Sequence, residues 1–195
     1  GKWIGAGRQG SQAVWDVDGD GVNEILFGTC RGDSKRYWCV NADGTLKWVY
    51  PPIASDPLPG DPWGASFVDV NNDGKYEVCF AGRGGRLSVV KADGTKLWDW
   101  NNPTAGQTML GPPQAYDVNK DGLVEFFLAG GKFVYCVSND GNLLWTSFGC
   151  GASNEGHVTI SDIDRDGEYE VTWASQDWNL YCMDARTGTE KWRFN

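Results

Sequence analysis

The sequence is most restrictive in what it lacks. Of its 195 residues one is histidine, His157, and two are methionine. No apolar run approaches the roughly 18 residues that cross a bilayer as a helix, so no transmembrane segment is expected. Lys and Arg number 17 against 26 Asp and Glu, a formal charge of −9, and the basic face that nucleic acid needs is missing. No leader with a basic start and an apolar middle opens the sequence, which therefore reads as a mature chain or an excised region. There is no N-x-S/T acceptor for N-glycosylation. No G-x-S-x-G elbow and no phosphate-cradling glycine loop occurs. The lone His157 has no nucleophile partner in view, so a structural or surface role suits it better. No catalytic residue is nominated, and the reading leans away from an enzyme.

Glycine and aromatics are abundant: 27 Gly, 11 Trp, 7 Tyr and 8 Phe. That mixture points to many short strands joined by tight turns. At this length one domain with one good core is the default.

The acidic residues are not scattered. Asp16, Asp18, Asp20 and Glu24 occupy positions one, three, five and nine of a segment with Gly21 at six. The same arrangement returns as Asp69, Asn71, Asp73 and Glu77 around Gly74. It returns again as Asp117, Asn119, Asp121 and Glu125 around Gly122, and as Asp162, Asp164, Asp166 and Glu170 around Gly167. A calcium ion takes six to eight hard oxygens, and a short curled loop presents side chains at alternate positions. Glycine at six permits the sharp turn, and the carbonyl at seven (Val22, Lys75, Leu123, Glu168) is then expected to point inward. An EF-hand needs Glu at position twelve, where this chain has Phe27, Phe80, Leu128 and Trp173. The last ligand must be the Glu at nine, so the expectation is a nine-residue calcium loop, repeated four times. Magnesium fits less well, because it prefers a stricter octahedron that retains water. The ligand positions hold 14 of the 26 acidic residues, and four bound Ca²⁺ would bring the formal charge from −9 to about −1.

The motif starts lie 53, 48 and 45 residues apart. A period near fifty with strand-like patterning marks a propeller blade. Each repeat reads as four strands: one before the acidic loop (13–15, 66–68, 114–116, 159–161), an apolar one after it (25–27, 78–81, 126–129, 171–174), a third (37–40, 87–90, 134–137, 180–183), and an outermost one. The outermost strand follows a tight Gly turn and carries Trp48, Trp98, Trp145 or Trp192 four residues after Gly44, Gly94, Gly141 or Gly188. The expected fold is all-β, a propeller of four four-stranded blades or four blades of a larger ring. The blades span about 10–50, 63–101, 111–148 and 156–195. Cys39, Cys136 and Cys182 sit at matching repeat positions and read as buried small apolar residues. A Cys30–Cys39 bridge across one hairpin stays open at this point.

The acidic loops resemble those of FG-GAP and VCBS repeats, the units of integrin alpha-subunit propellers and many bacterial surface proteins; the departure is Glu where that family usually has Asp at position nine. The outer hairpins, Asp184-Ala185-Arg186-Thr187-Gly188-Thr189-Glu190-Lys191-Trp192 most closely, resemble the tryptophan-docking motif of pyrroloquinoline-quinone-type propellers. That resemblance implies Trp packed between neighbouring blades. The quinone chemistry does not follow, since those enzymes usually carry adjacent cysteines and none of the six here are adjacent. Loops leading from an outer strand to the next inner strand cross the mouth of such a ring, which makes Arg8, Gln9, Trp63, Met109, Glu155 and His157 candidate contact residues, or simple caps on the blade ends. Residues 1–6, with Lys2-Trp3 similar to Lys191-Trp192, read as a surplus strand. It docks within the molecule, adds to another subunit, or belongs to a longer repeat array.

The function implied is a calcium-stabilised, extracellular or cell-surface module for binding, adhesion or assembly. Its partners would be other subunits, in a homo-oligomer or filament, or a glycan or protein ligand. The alternative is a calcium-dependent polysaccharide lyase-like or carbohydrate-binding domain, by analogy of fold.

Overall fold

A computed structural model describes residues 12–29, 35–53, 58, 60–104, 113–150 and 157–195, apart from the Trp63 side chain. The expected surplus strand at 1–6 and the contact residues Arg8, Gln9, Met109 and Glu155 lie outside the described residues. So does the side chain of Trp63. His157 is described and is exposed.

Among the described residues sixteen strands form four antiparallel four-stranded sheets. The first sheet holds β1 (Ala13–Trp15), β2 (Glu24–Thr29), β3 (Arg36–Val40) and β4 (Leu46–Tyr50). The second holds β5 (Pro62–Val68), β6 (Glu77–Gly82), β7 (Arg86–Val90) and β8 (Lys96–Asn101). The third holds β9 (Gln114–Tyr116), β10 (Glu125–Gly130), β11 (Phe133–Val137) and β12 (Leu143–Thr146). The fourth holds β13 (Thr159–Ser161), β14 (Glu170–Ala174), β15 (Leu180–Asp184) and β16 (Glu190–Phe194). In every sheet the spatial order follows the chain, so each blade is a simple meander and each acidic loop joins its first strand to its second.

The second strands of the two middle blades are apolar on both faces because a sheet flanks each on both sides. β10 is buried along its whole length, and β6 all but its last residue. The core is split into three clusters, each shared by successive sheets. Leu26, Tyr37 and Tyr50 meet Val78 and Phe80. Cys79, Leu87 and Trp100 meet Phe126 and Tyr135. Phe127, Val134 and Cys136 meet Val171 and Met183. Among the described residues no core cluster joins the fourth sheet to the first, and the array is open.

The outer-strand tryptophans link blade to blade. Trp48 Nε1 donates to the Ala92 carbonyl at 2.7 Å, Trp98 Nε1 to Asn139 at 2.9 Å, and Trp145 Nε1 to Ala185 at 3.0 Å. Each ring lies on the turn glycine of the following blade, where a side chain would have no room. A Cβ on Gly94 would come within 2.7 Å of Trp48, and one on Gly188 within 2.7 Å of Trp145. Trp192, at the open end, is 42% exposed.

The cysteines follow the apolar reading. Cys39, Cys79, Cys136, Cys150 and Cys182 are buried free thiols. Cys39 is free and has none of its surface exposed, while Cys30, the partner the sequence left open for it, lies outside the described residues.

Gly44 and Gly94 share a turn position and a left-handed φ of +81° and +82°, but among the described residues a Cβ on Gly44 would meet nothing within 4 Å. Gly44→Ala is expected to cost about 1–2 kcal/mol of backbone strain. Gly94→Ala should cost about 1–3 kcal/mol more, for the overlap with Trp48. Denaturant unfolding of the two variants checks the difference, and equal losses would detach the tryptophan from blade packing.

Candidate metal centres

The four acidic loops fold alike, and the reason is in their own side chains. The aspartate at position one reaches across to accept the glycine N–H at position six. Gly21 N–Asp16 Oδ2 and Gly74 N–Asp69 Oδ2 are 2.8 Å, Gly122 N–Asp117 Oδ2 is 2.9 Å, and Gly167 N–Asp162 Oδ2 is 3.0 Å. The aspartate at five accepts the N–H at seven: Val22 to Asp20, Lys75 to Asp73, Leu123 to Asp121 and Glu168 to Asp166, at 2.7–2.8 Å. Positions four and six are both left-handed. Position six is glycine with φ of +83° to +90° in every loop, and position four is Gly19, Asn72, Lys120 or Arg165. Asp and Asn turns of this kind curl the chain so that side-chain oxygens converge.

The glutamate at position nine closes the loop from below. It opens the second strand and is almost wholly buried: Glu24 is 1% exposed, Glu170 2%, Glu77 and Glu125 5%. One carboxylate oxygen accepts the backbone N–H of position two in all four loops. Val17 N–Glu24 is 3.1 Å, Val70 N–Glu77 and Val118 N–Glu125 are 3.0 Å, and Ile163 N–Glu170 is 2.8 Å. The extra methylene of Glu over Asp supplies this reach.

Carboxylates gathered in this way invite a cation. In the first loop oxygens of Asp16, Asp18 and Glu24 lie within 4.8 Å of one another, and in the fourth those of Asp162, Asp164 and Glu170. The second and third loops have Asn71 and Asn119 at position three, so each offers one carboxylate fewer and one amide oxygen more. Hard oxygens in this number suit Ca²⁺. Asp162 Oδ1 adds an independent sign, because it is buried with no hydrogen-bond partner, and a buried unpaired acceptor is costly unless something positive faces it. The residues present therefore fit a calcium ion.

Two lysines absent from the expected ligand set belong to the site. Lys47 on β4 binds Glu24 Oε1 at 2.9 Å and also Asp18. Lys191 on β16 binds Glu170 Oε1 at 2.6 Å and Asp164 at 3.2 Å. Hydrogen bonds from these ammonium groups hold the Asp18 and Asp164 carboxyls below the usual carboxylate range. Among the described residues neither Glu77 nor Glu125 accepts a hydrogen bond from a lysine, although the Lys91 charge acts on Glu77 from farther away. Burial pushes their carboxyls up, with Asp69 and Asp73, or Asp117 and Asp121, adding to the effect. The signal in the sequence was Lys before Trp in repeats one and four, against Leu97 and Leu144 in repeats two and three.

Beside the first two loops is a cleft of about 500 Å³ lined by Trp15, Asp16, Asp18, Lys75 and Tyr76. Trp15 and Tyr76 are 42% and 41% exposed, and their rings meet edge to face at 5.3 Å. Tyr116 and Tyr169 make a comparable pair between the third and fourth loops, with hydroxyls 3.0 Å apart.

With this geometry in place, comparison with known proteins is informative. Residues 16–80 match the FG-GAP-like repeat. Over 102 residues the chain is 38% identical to a lambda-carrageenase from a Pseudoalteromonas species, a match covering 52% of this chain and 10% of that enzyme. The chain thus spans about a tenth of the carrageenase's length. Among solved structures, the V. cholerae biofilm matrix protein Bap1 superposes with a TM-score of 0.67 at 22% identity, covering 95% of this chain and 28% of Bap1. The quinohemoprotein alcohol dehydrogenase of Comamonas testosteroni superposes with a TM-score of 0.66 at 13% identity, covering 97% and 35%. These two likenesses establish the propeller fold and nothing of activity.

The two buried glutamates without a lysine hydrogen bond, Glu77 and Glu125, give a prediction of opposite signs. A folded-state carboxyl that binds protons more readily than the unfolded chain contributes its stability at low pH and loses it as pH rises through the raised value. Without calcium, at neutral pH, Glu77→Gln and Glu125→Gln are each expected to raise the melting temperature by about 2–4 °C, the shift made by about 1 kcal/mol in a domain of this size. With millimolar calcium the same variants should melt lower than the parent. Thermal melts in chelator and in calcium check both, and a change of the same sign in both would remove these carboxylates from the metal site.

Proposed function

Because the chain is an FG-GAP-type β-propeller repeat protein, we propose that it is a calcium-binding, calcium-stabilised module that works outside the cell as a non-catalytic element for binding, adhesion or assembly. The observation that carries this reading is the fourfold recurrence of one oxygen cage. Each loop carries oxygen-bearing side chains at positions one, three, five and nine on a backbone already curled by its own hydrogen bonds, and in the first and fourth loops carboxylate oxygens from positions one, three and nine lie within 4.8 Å of one another. Asp16, Asp18, Asp20 and Glu24 would hold one ion. Asp69, Asn71, Asp73 and Glu77 would hold a second, Asp117, Asn119, Asp121 and Glu125 a third, and Asp162, Asp164, Asp166 and Glu170 a fourth. The carbonyls of Val22, Lys75, Leu123 and Glu168 would complete them. Bound calcium supplies charge neutralisation, pinning the first strand of each blade to the second. Sites of this exposed kind fill where calcium is millimolar, which supports the extracellular placement.

Linkage sets the scale. At a hundredfold excess of free calcium over the dissociation constant, each site contributes about 2.7 kcal/mol. Chelation is expected to lower the melting temperature by about 10 °C or more. Differential scanning calorimetry with calcium and with excess chelator reads this directly, and coincident melts would defeat the calcium reading.

A second reading, carbohydrate contact, is favoured by the cleft between the first two loops and by the kinship with a carrageenase. Exposed aromatic faces in a cleft are what sugar rings stack on, and Lys75 on its rim would meet a sulfate. Trp15→Ala and Tyr76→Ala are each expected to weaken binding to lambda-carrageenan about tenfold, the loss of roughly 1.4 kcal/mol of contact. Affinity electrophoresis through the polysaccharide tests it, and migration unretarded for parent and variants alike would dismiss this ligand.

A further inference from the structure

The lysines at the first and fourth loops sort the four cages into two kinds. In each blade the third and fourth strands slip register at the same place. Cys39 pairs with Trp48 and Val40 with Leu46, leaving Lys47 extra. The extra residue is Leu97 in the second blade, Leu144 in the third and Lys191 in the fourth. A bulge re-aims the side chain it inserts, and in the first and fourth blades it sends an ammonium to the glutamate at position nine and the aspartate at position three. These two lysines keep only 20% and 31% of their side-chain surface.

The position-three residue changes in step with the bulge. Where the bulge is Lys, position three is Asp18 or Asp164. Where it is Leu, position three is Asn71 or Asn119. The asparagine amide then takes over part of the ammonium's work: Asn119 Nδ2 donates to Glu125 Oε1 at 2.9 Å and to Asp121 at 3.0 Å, and Asn71 Nδ2 donates to Asp73 at 3.1 Å. Counting the side chains at positions one, three, five and nine with the bulge residue, the first and fourth cages have four carboxylates and one ammonium. The second and third have three carboxylates and no ammonium. The net charge is −3 in every cage.

We propose that Lys47 and Lys191 are built-in counter-cations, so that calcium enters the first and fourth cages in competition with an ammonium group and the second and third without one. The inference rests on the calcium reading above and adds a hierarchy to it. The second and third cages fill first as calcium rises. The first and fourth hold their shape without the ion and fill last, because the ammonium must leave the glutamate oxygen before the metal can use it. Removing a unit positive charge at hydrogen-bond distance from a partly exposed divalent site is worth about tenfold in affinity.

The position-six glycines report each cage separately. In the intact ¹⁵N-labelled chain, the amide signals of Gly74 and Gly122 are expected to shift at lower calcium than those of Gly21 and Gly167. Lys47→Met and Lys191→Met should each bring the neighbouring glycine's midpoint down about tenfold and leave the second and third cages unmoved. The reciprocal variants Leu97→Lys and Leu144→Lys, at positions 38% and 52% exposed, should raise the midpoints of Gly74 and Gly122. They keep the test open if a methionine variant folds poorly. Four equal midpoints, or midpoints indifferent to the lysines, would overturn the hierarchy while leaving calcium binding intact. Silence of all four glycines would reject the calcium reading and the hierarchy with it.

Discussion

Each blade depends on a carboxylate that bends back on its own backbone. The glutamate at position nine leaves water almost completely and accepts the N–H of position two, seven residues earlier. That bond closes the loop, fixes where the first strand ends, and starts the second strand in register with it. It also commits a negative charge to a place where water cannot screen it. Burial of an uncompensated carboxylate costs several kcal/mol, so the fold has to provide positive charge nearby. It does so with a lysine in two blades and with an amide in another, and the remaining demand is what a divalent ion would satisfy.

The second constraint is between blades. A flat indole placed against a glycine turn lets the sheets approach, and the indole N–H anchors the contact to a backbone carbonyl. The contact repeats three times along the array and gives each blade a fixed relation to the next. Because the blades are otherwise simple meanders, the metal loops all arrive at the same edge of their sheets. Neighbouring loops can then share features that no single repeat contains. The pairing of Trp15 with Tyr76 and of Tyr116 with Tyr169 are two of these. The ammonium of Lys120 in the third loop adds another, reaching the Gly167 carbonyl of the fourth.

What was legible in the sequence was local. The alternating oxygens at Asp16, Asp18 and Asp20 and the glycine at Gly21 act within a dozen residues, and their spacing alone states the turn they make. The strand runs were legible for the same reason, since apolar segments such as Phe126–Ala129 are bounded on both sides by turn residues. Interactions that depend on tertiary register were not. Lys47 reaches Glu24 from 23 residues away only because a bulge turns it inward, and nothing in a lysine's identity announces a bulge. The burial of Glu77 and its bond to Val70 were hidden because a carboxylate at a strand's first residue ordinarily faces water. The repeat position of Cys39 stated its apolar role, and neighbouring blades cover it in a core cluster.

The central claim is that four cages of one design each hold a calcium ion, and stoichiometry tests it most directly. Equilibrium dialysis of the 21.4 kDa chain against millimolar calcium, followed by atomic absorption of the protein fraction, should give four calcium ions per chain. Retention of none would contradict the account.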